Sequence, residues 1–473
     1  MFTRPKHQER RRREHWSPMT VVFRNIKHLA CMDDARRELS GVDVRCDAGI
    51  ITAIGPSLEA PAAATEIDGS ELIVLPGLIN AHQHLYQVGL RAIPELERAR
   101  IGPWLGGLGE RCLRWWAEGR LTPAMVGAVA AAGLAESVLG GVTTTADQHY
   151  LHPAGPTLGT IEATIEAAHE IGVRLHAGRG TLTLGRDHGG GADPRLVQTV
   201  DEVLRHTAEL IDAFHDPAVG ARVRIDLSPC GVHVDQPDLF EAFAALAAAH
   251  PAVRLHTHLY EEVDSGFCRD RYGITPWQFL QRHGWAGERT WVAHVVDIPH
   301  HEIAELADAG VGVAHLPAPD LRMGWGCAPL REFLEAGVTV GLGTTGSASN
   351  DGSNLLADLR LAALAHRSTT RDPDCWPTVR ELFWAATRGS AACLGRDELG
   401  RIEVGAAADL AAWDLGTVDR VGVEDPLLGL ALGGLSQRAA WVVCGGEVVV
   451  ADGRLARADE REVARRARAE LSG

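Results

Sequence analysis

LIVLPGLINAHQHLYQ, residues 72–87, is the stretch from which the rest of the chain can be read. It starts as an apolar, β-type run and ends in a polar His82-Gln83-His84. Seven later runs have the same character: GVTTTADQH (141–149), GVRLHAGRG (172–180), VRIDLSPCG (223–231), VRLHTHLYE (253–261), TWVAHVV (290–296), VGVAHLPAP (311–319) and VTVGLGTTGS (338–347). Ala/Leu-rich helical stretches separate them. Eight strands with intervening helices between Pro76 and about Leu394 predict an α/β fold of the (β/α)8, TIM-like barrel type, with the active site at the C-terminal strand ends. A doubly wound open sheet is the competing arrangement.

Outside this region the strands are short. TVVFRNIKHLA (20–30), DVRCDAGIITAIG (43–55) and ELIVLPG (71–77) precede the barrel, and DLAAWD (409–414) and AAWVVCGGEVVVADG (439–453) follow it. The two chain ends are expected to pair into a small composite β-sandwich domain, residues 19–75 plus 395–460, clasping a catalytic barrel of residues 76–394. Residues 1–18 carry six Lys/Arg and two Glu and no apolar core segment, so they read as a flexible basic leader rather than a secretory signal.

Composition narrows the function. The 473 residues are 45% hydrophobic and 23% charged, an ordinary globular balance. Asp plus Glu number 62 against 46 Lys plus Arg, a net charge of −16, the wrong sign for nucleic acid or an anionic membrane; small molecules are the expected partners. The longest apolar stretch, Met125–Ala135, is far short of the roughly 18 residues of a membrane span. Nine scattered cysteines without a CxxC pair suit a reducing cytoplasm.

The histidines carry the chemistry. His82 and His84, two apart on a strand, face the same side and can share a metal, although HxH alone is a weak signal. His258 and His294 end two further barrel strands, and the scaffold brings strand ends together. Imidazoles with an open position form a zinc-type set, and zinc lowers the pKa of a coordinated water to about 7; Fe2+ or Mn2+ also accept such donors. Glu261, three residues after His258, stands at the rim where a carboxylate can move a proton. Glu262 and Asp264 beside it read as solvated loop charges, and His149, His176, His256 and His315 as packing or substrate-facing residues. Three near misses carry nothing. Gly341–Gly346 fits GxGxxG but is followed by helix rather than a βαβ unit, His301-Glu302 lacks the second histidine of HExxH, and Pro229-Cys230 lacks the second cysteine of a cytidine-deaminase site.

Taken together, LPGLINAHQHLYQ, RAIPELER (91–98), VRLHTHLYE, WVAH, APDLRMGWG (318–326) and GTTGSASNDGSNLL resemble the amidohydrolase superfamily over nearly all of the chain after Met19. Within it they resemble the branch of atrazine-type triazine hydrolases and 8-oxoguanine or isoxanthopterin deaminases. The resemblance implies one Zn2+ per subunit on His82, His84 and His258. His294 would be a further ligand or a hydrogen-bond partner of the metal's water, Glu261 the proton shuttle, and the assembly a homodimer. The superfamily's strand-eight aspartate is replaced by Thr345, which joins Glu261 and His294 in the expected catalytic set; Asp351 lies past the turn of that strand. Gln87, Trp104, Leu105, Asp147, His149, Met323 and Trp325 are the expected substrate-pocket residues, since Trp and Met suit a flat apolar heterocycle.

Chloride or a thiolate leaves an electron-poor ring without prior protonation, whereas an amine needs a proton. A site with Glu261 and no strand-eight aspartate therefore favours displacement of chloride or methylthio from an s-triazine or similar ring. Deamination of a purine or pterin such as 8-oxoguanine, guanine or isoxanthopterin is the alternative. A barrel that has lost catalysis and only binds a ligand is a third reading, opposed by the retained histidines and Glu261.

Overall fold

Eight parallel strands follow one another in chain order around the core of this computed structural model, which describes residues 20–153, 159–433 and 437–472. They are β1 (Leu78–Gln83), β2 (Val142–His149), β3 (Arg174–Thr181), β4 (Val223–Pro229), β5 (Leu255–Leu259), β6 (Thr290–His294), β7 (Gly312–His315) and β8 (Val340–Leu342). Each pairs in parallel with the next. The circle closes where Thr344 and Thr345 N–H donate to the His82 carbonyl at 3.2 and 2.9 Å, and Asn80 Nδ2 donates to Thr344 Oγ1 at 2.8 Å. The sequential strand order and this closure decide for the barrel over the doubly wound sheet.

The helices between strands start where the sequence supplies caps. Thr122 caps the helix Pro123–Leu139, and Thr199 with Glu202 forms a capping box on Val200–Phe214. Their apolar faces pack outside the barrel in one large core. Inside, the N-terminal end is filled by Ile79, Ala81, Ala146, Trp291 and Ala314 against Ala391, Cys393, Leu394 and Leu399. An apolar floor of this kind leaves the C-terminal end as the place for polar side chains.

The flanking strands form two sheets that share a core containing Val21, Phe23, Val44 and Ile51 from one and Val74, Leu410, Ala412 and Val443 from the other. In the larger sheet Leu72–Pro76 pairs antiparallel with Leu410–Asp414, so the two chain ends do meet. The stretch from 72 to 83, read both as the last flanking strand and as the first barrel run, divides between two sheets, and so does TVVFRNIKHLA, which read as one strand. Leu72–Pro76 lies in the small-domain sheet and Leu78–Gln83 in the barrel, divided at Gly77, where a Cβ would fall 2.3 Å from Thr143 Oγ1. Likewise Thr20–Ile26 and His28–Ala30 lie in different sheets, after Asn25 takes a left-handed φ of 48°. A helix, Glu460–Ser472, which the sequence reading did not assign, packs against Pro123–Leu139. The leader read over residues 1–18 lies outside the described residues. Among the described residues no helix is long and apolar enough to cross a membrane.

Candidate active site

His82, His84, His258 and His294 meet as one buried cluster at the ends of β1, β5 and β6. His258 Nε2 lies 3.2 Å from the Nε2 of His84 and 3.2 Å from that of His82. Ring nitrogens of His82, His258 and His294 all lie within 4.8 Å of one another. What the second nitrogen of each ring bonds to settles its tautomer. His84 Nδ1 donates to the Gln148 carbonyl at 2.7 Å, and His258 Nδ1 to the Cys230 carbonyl at 2.5 Å. His256 Nδ1 donates to the Trp291 carbonyl at 2.9 Å, which makes its Nε2 an acceptor; His82 Nδ1 must therefore donate across the 2.7 Å between them.

Burial keeps these rings neutral, drawing His84 down to about 3, His256 to about 4, and His82 and His258 well below the ordinary histidine value. Three neutral rings with Nδ1–H already engaged turn three bare Nε2 lone pairs toward one another. Lone pairs so close repel unless an electrophile lies between them. A divalent ion fits, since imidazoles oriented by a second hydrogen bond are a typical zinc donor set.

His294 completes the cluster differently. Its Nδ1 lies 2.6 Å from Asp320 Oδ1 and its Nε2 3.5 Å from Glu261 Oε1. Burial opposes charge on His294, but Asp320 outweighs it and lifts the pKa above the ordinary value. Burial also raises the Glu261 carboxyl, against the pull of His294. The backbone is left-handed at Tyr260 (φ 56°), His294 (φ 74°), Val295 (φ 55°) and Thr345 (φ 54°), just where β5, β6 and β8 end. Such residues cost about 1–3 kcal/mol each and persist where surrounding bonds impose them. Here Val295 N–H donates to the Leu259 carbonyl and Thr345 N–H to that of His82, both at 2.9 Å.

The expected pocket residues divide into those near the cluster and those behind it. The Trp325 and His294 rings meet nearly at right angles with their centroids 5.3 Å apart. Gln87 Nε2 donates to Tyr150 Oη at 2.9 Å, and the Tyr150 ring stands 5.0 Å from His84. Met323 and Trp104 lie buried in one apolar cluster with Tyr86. Asp147 accepts the Leu85 N–H at 2.7 Å, and burial pushes its carboxyl up to about 7. His149 contacts Thr160, Tyr86 and His152 rather than the four histidines, and Leu105 is 37% exposed on the helix Ile101–Ala117. Asp351 is engaged elsewhere, accepting from Ala92 N–H and Arg322 Nε.

Several residues of the site escaped the sequence reading. Asp320 and Tyr150 were not singled out. His256 was set among the packing histidines, although with His258 it repeats the i, i+2 spacing of His82 and His84. Asp264 is a correction: it is fully buried rather than solvated, because His233 Nδ1 bonds its Oδ1 at 2.8 Å. His176 and His315 do lie buried away from the cluster, paired with Asp226 and His366.

Residues 73–452 match the amidohydrolase family. The chain is 38% identical over 428 residues to an 8-oxoguanine deaminase of Pseudomonas aeruginosa, covering 90% of this chain and 93% of that protein. It is 32% identical over 471 residues to hydroxydechloroatrazine ethylaminohydrolase of Pseudomonas sp. (strain ADP), covering 95% and 94%. The crystal structure of atrazine chlorohydrolase TrzN from Arthrobacter aurescens TC1, complexed with zinc, superposes with a TM-score of 0.94 at 52% identity, over 95% of this chain and 100% of that one. The family match spans most of the chain, including all eight barrel strands, and with these likenesses it shows that the chain belongs to the amidohydrolase family.

Proposed function

We propose that the protein is a zinc-dependent hydrolase that displaces chloride, methylthio or a similar group from an s-triazine or related N-heteroaromatic ring. The observation that carries this reading is the set of bare imidazole nitrogens converging beside one carboxylate, Glu261, with Thr345 at the end of β8. The 52% identity to an atrazine chlorohydrolase supports the substrate class.

His82, His84 and His258 would hold the ion, with His294 as a further ligand or a hydrogen-bond partner of the reacting water. Bound there, zinc supplies Lewis acidity and lowers the pKa of water in its coordination sphere to about 7. Glu261 takes a proton from the attacking water and returns it to the ring nitrogen next to the carbon under attack. His294, backed by Asp320, holds the Glu261 carboxylate and stabilises negative charge there. The ring C–O bond forms, the C–Cl or C–S bond breaks, the leaving group departs as chloride or thiolate, and the hydroxylated ring releases one proton to solvent and becomes neutral. Thr345 brings no ionisable group, so nothing on β8 delivers a second proton to an amine. Trp325, Met323, Trp104 and Gln87 form the wall for a flat apolar ring, with Asp147 behind them; Leu105 and His149 belong to its outer margin. We further propose a homodimer working in the cytoplasm, where nine unpaired cysteines are at home. We take the catalytic unit as residues 76–394, clasped by residues 19–75 and 395–460.

Incubating the zinc-loaded protein with chloro-, methylthio- and amino-triazines, guanine-type purines and pterins, and identifying what is released, tests the reading. Chloride or methanethiol without ammonia is expected. Ammonia from a purine or pterin would replace this reading with deamination, which the 38% identity to 8-oxoguanine deaminase favours. Glu261→Gln is expected to keep its zinc and lose turnover by about 10²–10⁴-fold; a near-normal rate with metal retained would remove Glu261 from its role.

A further inference from the structure

Glu261 lies between two histidine–aspartate pairs. His294 with Asp320 is on one side; His233 with Asp264 is on the other, and the ring of His233 and the carboxylates of Glu261 and Asp264 offer atoms within 4.8 Å of one another. The second pair comes from different barrel loops, His233 after β4 and Asp264 after β5. Both are fixed from behind. Asp235 accepts from Cys230 N–H at 2.7 Å and from Thr181 Oγ1 at 2.7 Å, pinning the turn that carries His233, and the His233 carbonyl accepts from Gly191 N–H at 2.8 Å. Asp264 is completely buried; its Oδ1 accepts from His233 at 2.8 Å and its Oδ2 from Glu261 N–H at 3.1 Å, while its own N–H donates to the Glu261 carbonyl at 3.0 Å.

A buried carboxylate with one cationic or donor partner reorganises when that partner is removed. Without His233, Asp264 would keep little beyond the N–H of the residue it has to hold. We propose that His233, locked to Asp264, is a positioning residue for Glu261: it fixes the loop that carries this carboxylate and so keeps it facing His294. The proposal rests on the reading of Glu261 as the proton carrier. His233 acts through Asp264 and the Glu261 backbone, with Glu261, Asp264 and Asp235 as the charged groups that face it.

A double-mutant cycle tests this on the zinc-loaded protein, using the heterocycle that the wild type turns over. His233→Phe, which cannot bond Asp264, is expected to lower kcat by at least about 10-fold with KM within about 2-fold and zinc content unchanged. His233→Asn, whose amide nitrogen takes the position of Nδ1 and still donates to Asp264, is expected to stay within about 3-fold of wild type. In the Glu261→Gln background, His233→Phe is expected to change the residual rate by less than about 2-fold, because the group it positions is gone. Equal fold-losses in both backgrounds, or a His233→Phe enzyme as active as wild type, would overturn the proposal while leaving Glu261 in its role. A Glu261→Gln enzyme with normal turnover would instead remove the reading of Glu261 and this proposal with it. Should His233→Phe not fold, His233→Leu, which has no donor for Asp264, takes its place with the same expectations.

Discussion

The four histidines act together because a partner claims the far nitrogen of each: a peptide carbonyl for His84 and His258, another ring for His82 and the Asp320 carboxylate for His294. His256 shows how much this matters, since it forces the His82 tautomer from outside the cluster while stacking on Trp291 at 4.2 Å. His256→Phe keeps the stack and removes the acceptor, so metal affinity measured by chelator competition is expected to fall by about 10–100-fold. Asp358 gives a test in pH. Burial pushes its carboxyl up to about 8 despite the Asn350 amide at 3.0 Å, and the same amide holds the Thr344 carbonyl at 2.7 Å. The folded chain thus keeps a proton that the unfolded chain releases above about pH 4, so this residue makes stability fall as pH rises from about 4 to about 8. The denaturation midpoint of the wild type is expected to drop more between pH 5 and pH 8 than that of Asp358→Asn. At this scale the clustered histidines were legible because strand spacing and strand ends are written in the chain. Asp320 and Asp264 were not, because a loop carboxylate looks the same whether the fold turns it toward water or toward an imidazole.

Strands were the legible elements. Each of the eight apolar runs became a barrel strand, since β-type runs between Ala/Leu-rich helices leave few other arrangements. Their limits were less so: LIVLPGLINAH divides at Gly77 because Thr143 crowds the place of a side chain, a contact no local pattern encodes. Glycine also lets β8 be approached from behind. A Cβ on Gly389, in the π-helical turn Ala385–Gly389, would lie 1.8 Å from the Val340 carbonyl oxygen, which the strand cannot withdraw. Gly389→Ala is therefore expected to destabilise by about 1–3 kcal/mol in chemical denaturation. Gly109, on the helix Ile101–Ala117 with nothing within 4 Å of its Cβ position, is the contrast. Gly109→Ala is expected to stabilise by about 0.4–1 kcal/mol, by restricting the unfolded chain.

At the scale of the molecule, barrel and flanking sheets are joined by a buried ion pair. Arg174, at the start of β3, bonds both oxygens of Asp409 at 2.8 and 2.9 Å, the two side chains being 2% and 3% exposed. Removing one partner strands the other charge, so Arg174→Met is expected to cost about 3–5 kcal/mol, read as a lowered denaturation midpoint that added salt does not restore. The pairing of Leu72–Pro76 with Leu410–Asp414 also sets an order of events during synthesis. The first of these strands leaves the ribosome more than 300 residues before its antiparallel partner, an interval of roughly 20–70 s at ordinary elongation rates. Through that interval the nascent chain carries an unpaired apolar edge, and the barrel must assemble behind it before the last strands arrive to cover it.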